Sequence, residues 1–191
     1  MSSRGVPRLA VVFLGIVSLV ANPTAIGQAN TPSGEKTVPK FVEGAGYVFV
    51  SGQGPKRADD SVPGNFKDQA RQTIENIKTV LQGAGLSDEH LVYLQVYLED
   101  VKHVGELDEV FASAFVKDPP ARAVLGVAKV PDGAIQINAI AVRDLEGKKA
   151  VAVAGRDTRK AFSAGMLTHD QLFVSTKEIF IVLTPIHIQG T

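Results

Sequence analysis

The stretch KDPPARAVLGVAKVPDGAIQINAIAV, residues 117–142, is apolar enough to be buried, yet it carries Arg122 near the start of one apolar run and Asn138 in the middle of the next. A guanidinium taken out of water needs an anion beside it. At a strand end that need is met by solvent, by a neighbouring carboxylate, or by an anionic ligand gripped through two parallel charge-assisted hydrogen bonds. Asn138 can orient a water molecule, but an amide cannot take a proton from it at neutral pH. Other catalytic chemistry finds little support. His90, His103, His169 and His187 lack metal-ligand spacing, so no metal site is expected. There is no cysteine, which excludes thiol catalysis, disulfides and a lipid-modified cysteine anchor. The acid pairs Asp59–Asp60 and Glu99–Asp100 fall at turns, Ser51 has no base in view, and Gly52 and Gly54 lack the Gly-Lys-Ser/Thr continuation of a phosphate loop.

The elements that must carry Arg122 and Asn138 follow from periodicity. A short apolar strand, Tyr47 to Ser51, stops at Gly52, Gly54 and Pro55. Phe66, Ala70, Ile74, Ile77, Leu81 and Ala84 then recur at helical spacing, with Asn65 as the cap and Gly83 and Gly85 as the stop. The run HLVYLQVYLED predicts a strand with Val92, Leu94, Val96 and Leu98 on one face and Tyr93, Gln95 and Tyr97 on the other. That second face is aromatic enough to meet a partner surface. Val104, Leu107, Phe111 and Phe115 mark a second helix ended by Pro119-Pro120. The two runs carrying Arg122 and Asn138 are the last strands, joined by a turn at Pro131-Asp132-Gly133, and a further strand is possible near Phe41. The expected fold class is α+β, a mixed sheet with both helices on one face.

Lys plus Arg and Asp plus Glu both number 20, and no basic run interrupts the chain, so nucleic acid is not an expected partner. Residues 1–29 place Arg4 and Arg8 before an apolar stretch, Leu9 to Ala21, followed by small residues. This is the pattern of a cleaved signal peptide and is too short for a stable membrane anchor, so export to a periplasm or beyond is expected. Residues 30–37 read as a linker and 38–149 as the domain. Residues 150–191 read as an incomplete second module or a mobile tail, because FSAGMLTHDQLFVS (162–175) echoes FVEGAGYVFVS (41–51) and no helix follows.

The segments VFVSGQGP, QARQTIENIKTVLQGAGLS, LVYLQVYLEDVKHVGELDEVF and PPARAVLGVAKVPDGAIQINAIAV resemble, in order and spacing, the reactive intermediate deaminase (Rid, or YjgF) family over about Val38 to Arg143. The resemblance implies a chorismate-mutase-like fold, a homotrimer with ligand clefts at subunit boundaries, and no cofactor. It also implies hydrolysis of 2-imino acids, such as 2-iminopropanoate and 2-iminobutanoate, to 2-oxo acids and ammonia. Arg122 stands where the family places its carboxylate clamp, and Ser51 and Gly52 where the ligand is held by the Ser-Gly-Gln motif. Val124, expected with them to line the substrate site, replaces a cysteine often found there. Asn138 replaces the glutamate that handles the attacking water, Val38 a cleft tyrosine, and Asp108 an asparagine. Weakened deamination is one expectation from these departures. Capture of a small carboxylate by a non-catalytic trimer is the other.

Overall fold

The computed structural model describes residues 39–151, 161–176 and 179–180. The expected signal peptide and linker, together with Val38 and His187, lie outside the described residues.

The first hairpin pairs β1 (Phe41–Gly44) with β2 (Tyr47–Gln53). Helix α1 (Phe66–Gly83) begins at Asn65, whose side chain accepts the Asp68 N–H at 2.9 Å, and the chain leaves it through Gly85 at φ +73°. Next come β3 (Leu91–Leu98), α2 (Val104–Ala114), β4 (Ala121–Gly126) and β5 (Ile135–Val142). These strands form a sheet in the order β1-β2-β5-β3-β4, with β3 and β4 parallel and the other neighbours antiparallel. The two crossovers, β2-α1-β3 and β3-α2-β4, step across the sheet in the same direction. Crossovers of one hand therefore put both helices on the same face. Lys67 on α1 and Glu109 on α2 meet across the helix pair at 2.6 Å.

The core lies between those helices and the sheet. Ile74, Ile77 and Leu81 of α1 and Leu107 and Phe111 of α2 pack on Val48, Leu94, Val96, Leu98, Val124, Ile135 and Ile137. Each fully buried aliphatic or aromatic side chain contributes about 1.5–3 kcal/mol of transfer free energy. The expected alternation of β3 holds from Leu94 onward but not at Val92. A register shift between Leu91 and Tyr93 turns Val92 onto the far face, where it clusters with Tyr47, Ala121, Val142 and Met166.

The described residues beyond 148 add four short strands. β6 (Lys149–Val151), β7 (Gly165–Leu167) and β8 (Leu172–Val174) form a small antiparallel sheet, and β9 (Ile179–Phe180) extends the main sheet in parallel beside β4. The small sheet lies on the far face, where the Phe173 ring is 6.0 Å from those of Tyr47 and Tyr93. Part of the aromatic face expected to meet a partner is thus covered by the chain's own tail.

Candidate functional site

The pleat decides where Arg122 points. Val124, two residues on, lies in the helix-side core, and Arg122 shares that face. Its guanidinium meets α2, where Asp108 and Phe111, three residues apart, project from one side of the helix. Arg122 Nη2 donates to Asp108 Oδ1 in a short ion pair, and the guanidinium carbon lies 5.1 Å from the centre of the Phe111 ring. From the tail, Phe162 closes the other side at 4.4 Å. Arg122 is only 3% exposed, and among the described residues its charge is met by the Asp108 carboxylate and the faces of Phe111 and Phe162. Of the ways to satisfy a buried strand-end arginine, the described chain uses a neighbouring carboxylate.

The tail also holds the Arg122 backbone. The Arg122 N–H donates to Ser175 Oγ at 2.9 Å, the Thr176 N–H donates to the Arg122 carbonyl at 3.2 Å, and Ser175 Oγ donates to the Ser163 carbonyl at 2.5 Å. Ser163 pairs with Ala121 in a parallel bridge, and its hydroxyl donates to the Pro119 carbonyl at 2.5 Å.

A second group gathers on the opposite face. Ile135, Ile137 and Ala139 of β5 point to the helices, so Gln136 and Asn138 point away from them. They lie over the irregular end of β2, where the register shifts between Val50 and Gln53. A Cβ on Gly52 would sit 2.0 Å from Gln136 Nε2 and 3.0 Å from Asn138 Oδ1, so glycine leaves room for these two amides to approach the backbone. Ser51 Oγ donates to the Lys40 carbonyl at 2.9 Å, and Gln53 Nε2 donates to the Ser51 carbonyl at 2.8 Å. Behind this loop, Asn76 of α1 donates to the carbonyls of Gly54 and Lys56, both at 2.8 Å.

The structure therefore brings Ser51, Gly52 and Asn138 together but does not bring Arg122 to them. Arg122 and Val124 face the helices, and Gly52 and Asn138 face away. Val124 is buried, and core packing already accounts for its side chain. Among the described residues no group of acidic or histidine side chains is placed to hold a metal ion, and no helix is long and apolar enough to cross a membrane.

Sequence reasoning singled out Asp108 only as a departure from a pattern. Its i, i+3 relation to Phe111 was visible, but the contact of that helix face with β4 was not. Ser163 went unremarked, while Phe162 and Ser175 had a signal in the echo of residues 41–51.

The sequence model of the family described as Endoribonuclease L-PSP matches residues 32–143. The chain belongs to this family, also known as YjgF/RidA. A RutC family protein of Pyrococcus horikoshii is 34% identical over 118 residues, covering 60% of this chain and 94% of the relative. The crystal structure of RidA from an Antarctic Psychrobacter is similar at 33% identity with a TM-score of 0.53, covering 58% of this chain and 92% of that one. That of Escherichia coli TdcF with bound serine is similar at 31% identity with a TM-score of 0.55, covering 59% and 93%. The YjgF/RidA relationship accounts for the mixed sheet with two helices on one face. Residues 144–191, including every tail residue that touches Arg122, lie beyond the matched range.

Proposed function

We propose that this YjgF/RidA-family chain is an exported imine deaminase. It would take small 2-imino acids of the 2-iminopropanoate and 2-iminobutanoate type and work as a homotrimer. The observation that carries this reading is the division of the candidate residues between the two sheet faces. Arg122 lies on one face and Gly52 and Asn138 on the other, so a second copy would supply the half that the first cannot. In that arrangement Arg122 grips the substrate carboxylate, the Gly52 backbone holds the ligand, and Asn138 of the adjoining copy orients water at the C=N carbon. Water adds to that carbon, the nitrogen takes up protons and leaves as ammonia, and a 2-oxo acid remains. Asn138 positions the water while solvent carries the protons, so the rate falls below that of a glutamate-assisted site by about 10²- to 10⁴-fold.

Support comes from the family and from TdcF, whose bound serine carries the same kind of α-carboxylate. Balanced charge, with 20 basic and 20 acidic residues, favours a small carboxylate over the polyanion that the family's endoribonuclease description would require. The amide at Asn138 specifically favours a second reading, a trimer that binds small carboxylates without turning them over.

The test is ammonia release from enzymatically generated 2-iminobutanoate, with and without the protein. Acceleration that is lost in Arg122→Ala and increased in Asn138→Glu is expected. Binding of 2-oxobutanoate with no acceleration in either wild type or Asn138→Glu would replace the deaminase reading with the binding one.

A further inference from the structure

We infer that the docked tail is an internal occupant of the β4 edge and that it competes there with the β1–β2 hairpin of a second copy of this chain. The tail hairpin reproduces the first hairpin in bonding as well as in sequence. Phe49-Val50-Ser51 lies within β2, and Phe173-Val174 closes β8 with Ser175 directly after it. Val50 pairs with Phe41 at the start of β1, and Val174 with Gly165 at the start of β7. The Ser51 N–H donates to the Lys40 carbonyl at 3.0 Å, and the Ser175 N–H to the Ala164 carbonyl at 3.0 Å. Each serine hydroxyl also donates to a carbonyl just before its hairpin's first strand, Lys40 in one case and Ser163 in the other.

The edge of β4 therefore already shows which kind of segment fits it. Ser175 receives the Arg122 N–H, Phe162 covers the Arg122 guanidinium, and Phe173 packs on Tyr47 and Tyr93. The chain's own β1–β2 hairpin cannot take this place, because it forms the opposite edge of the same sheet. Only another copy can present it, and such a heterologous contact, repeated with closure, builds a ring. In that exchange Ser51 replaces Ser175, and Gly52 and Asn138 arrive beside Arg122. A segment tethered in the same chain acts at an effective concentration on the order of millimolar, so the tail excludes a second copy present at micromolar concentration. With the tail docked, the Arg122 side chain is 4% exposed and shut off from ligand.

The consequence for ligand rests on the reading of Arg122 as a carboxylate clamp, whereas competition for the edge does not. The test uses the full chain, whose lack of cysteine makes a cross-link clean. Ala121 and Ser163 are bridge partners, and neighbouring strands lie within disulfide reach, so Ala121→Cys with Ser163→Cys locks the tail when oxidised. Phe173→Asp places a charge against Tyr47 and Tyr93 and releases it. Light scattering gives the assembly state, and calorimetry with 2-oxobutanoate gives affinity. The expected results are a wild type that is mostly monomer, with a minor ring fraction that carries its binding and activity, a locked form that is monomer only and binds no better, and a ring in Phe173→Asp with affinity about tenfold or more greater, as when a site open in a tenth of molecules becomes fully open. A ring that forms with the disulfide closed, or a monomer in Phe173→Asp at every concentration up to millimolar, overturns the competition. A ring in Phe173→Asp that fails to bind 2-oxobutanoate supports the competition and overturns the clamp.

Discussion

Removing the Asp108 carboxylate should cost stability and then give much of it back to a ligand. The Arg122–Asp108 side chains are 4% and 14% exposed, so solvent screens the pair little. Breaking a buried pair by deleting one partner costs about 3–5 kcal/mol, because the remaining charge is left in a poor solvent. The Phe111 and Phe162 rings at 5.1 and 4.4 Å still attract the guanidinium and offset about 1–2 kcal/mol of that cost. Asp108→Ala should therefore destabilise the chain by about 1–4 kcal/mol in urea unfolding. Asp108→Asn, which keeps a neutral acceptor, should cost about 1–2 kcal/mol. Exchanging both partners for apolar residues, Arg122→Met with Asp108→Leu, should be near neutral, which makes the coupling measurable as a double-mutant cycle. The link to function is the second measurement. A 2-oxo acid carboxylate can take the place that Asp108 vacates, so 2-oxobutanoate should raise the unfolding midpoint of Asp108→Asn more than that of wild type. A loss below about 0.5 kcal/mol in Asp108→Ala, the range of an exposed pair, would refute the buried-pair argument. Equal ligand stabilisation in both proteins would refute the substitution of one carboxylate for another.

Two further outcomes are expected. Asn76→Ala removes its two hydrogen bonds to the loop after β2 and should cost about 2 kcal/mol in urea unfolding, at roughly 1 kcal/mol each. Tail docking should also depend on pH through Tyr47, whose hydroxyl donates to Asp170 Oδ1 at 2.5 Å. That bond holds the Asp170 carboxyl below the usual aspartate range, so its contribution is complete above about pH 4 and is lost as pH falls through the lowered value. Burial, reinforced by Asp170, raises the Tyr47 phenol, so its contribution is complete below about pH 10 and is lost as pH rises through the raised value. Methyl chemical shifts of Leu172 and Val174 should report undocking below the acid limit and above the alkaline one, and Asp170→Asn should flatten the acid limb.

The helices and central strands were legible because each presents one apolar stripe to a single core. Asn65 capped α1 where its side chain predicted, and Leu94, Val96 and Leu98 alternated inward as a strand half-buried on a helix layer must. Val92 escaped this reading because a one-residue irregularity in pairing reverses every side chain beyond it and leaves no mark in composition. Arg122 was legible as an anomaly, since charge in an apolar run demands a partner. Identifying that partner required knowing that α2 crosses back over β4, a tertiary relation to which local periodicity is blind. Gly52 and Asn138 were chosen through a motif. Their contact follows from the β2–β5 pairing, and their separation from Arg122 follows from the pleat.

The split between the faces bears on how this site could be closed and opened. If Arg122 and Asn138 shared a face, a single chain would hold a finished cleft, and a tail could regulate it only by filling it. Because they face opposite ways, the proposed cleft would exist only where two copies meet, and a segment that imitates the second copy would remove the site by preventing its assembly. The Phe-Val-Ser repeat at Ser175 would supply that imitation. Phe162 and Asp108 satisfy the guanidinium in the meantime, so the closed chain carries Arg122 as a neutralised buried cation and not as an exposed charge. Under the proposed function, the aromatic and anionic partners of the closed form are the groups that a substrate carboxylate would displace or share, which would tie the affinity of the open site to how tightly the closed one is held.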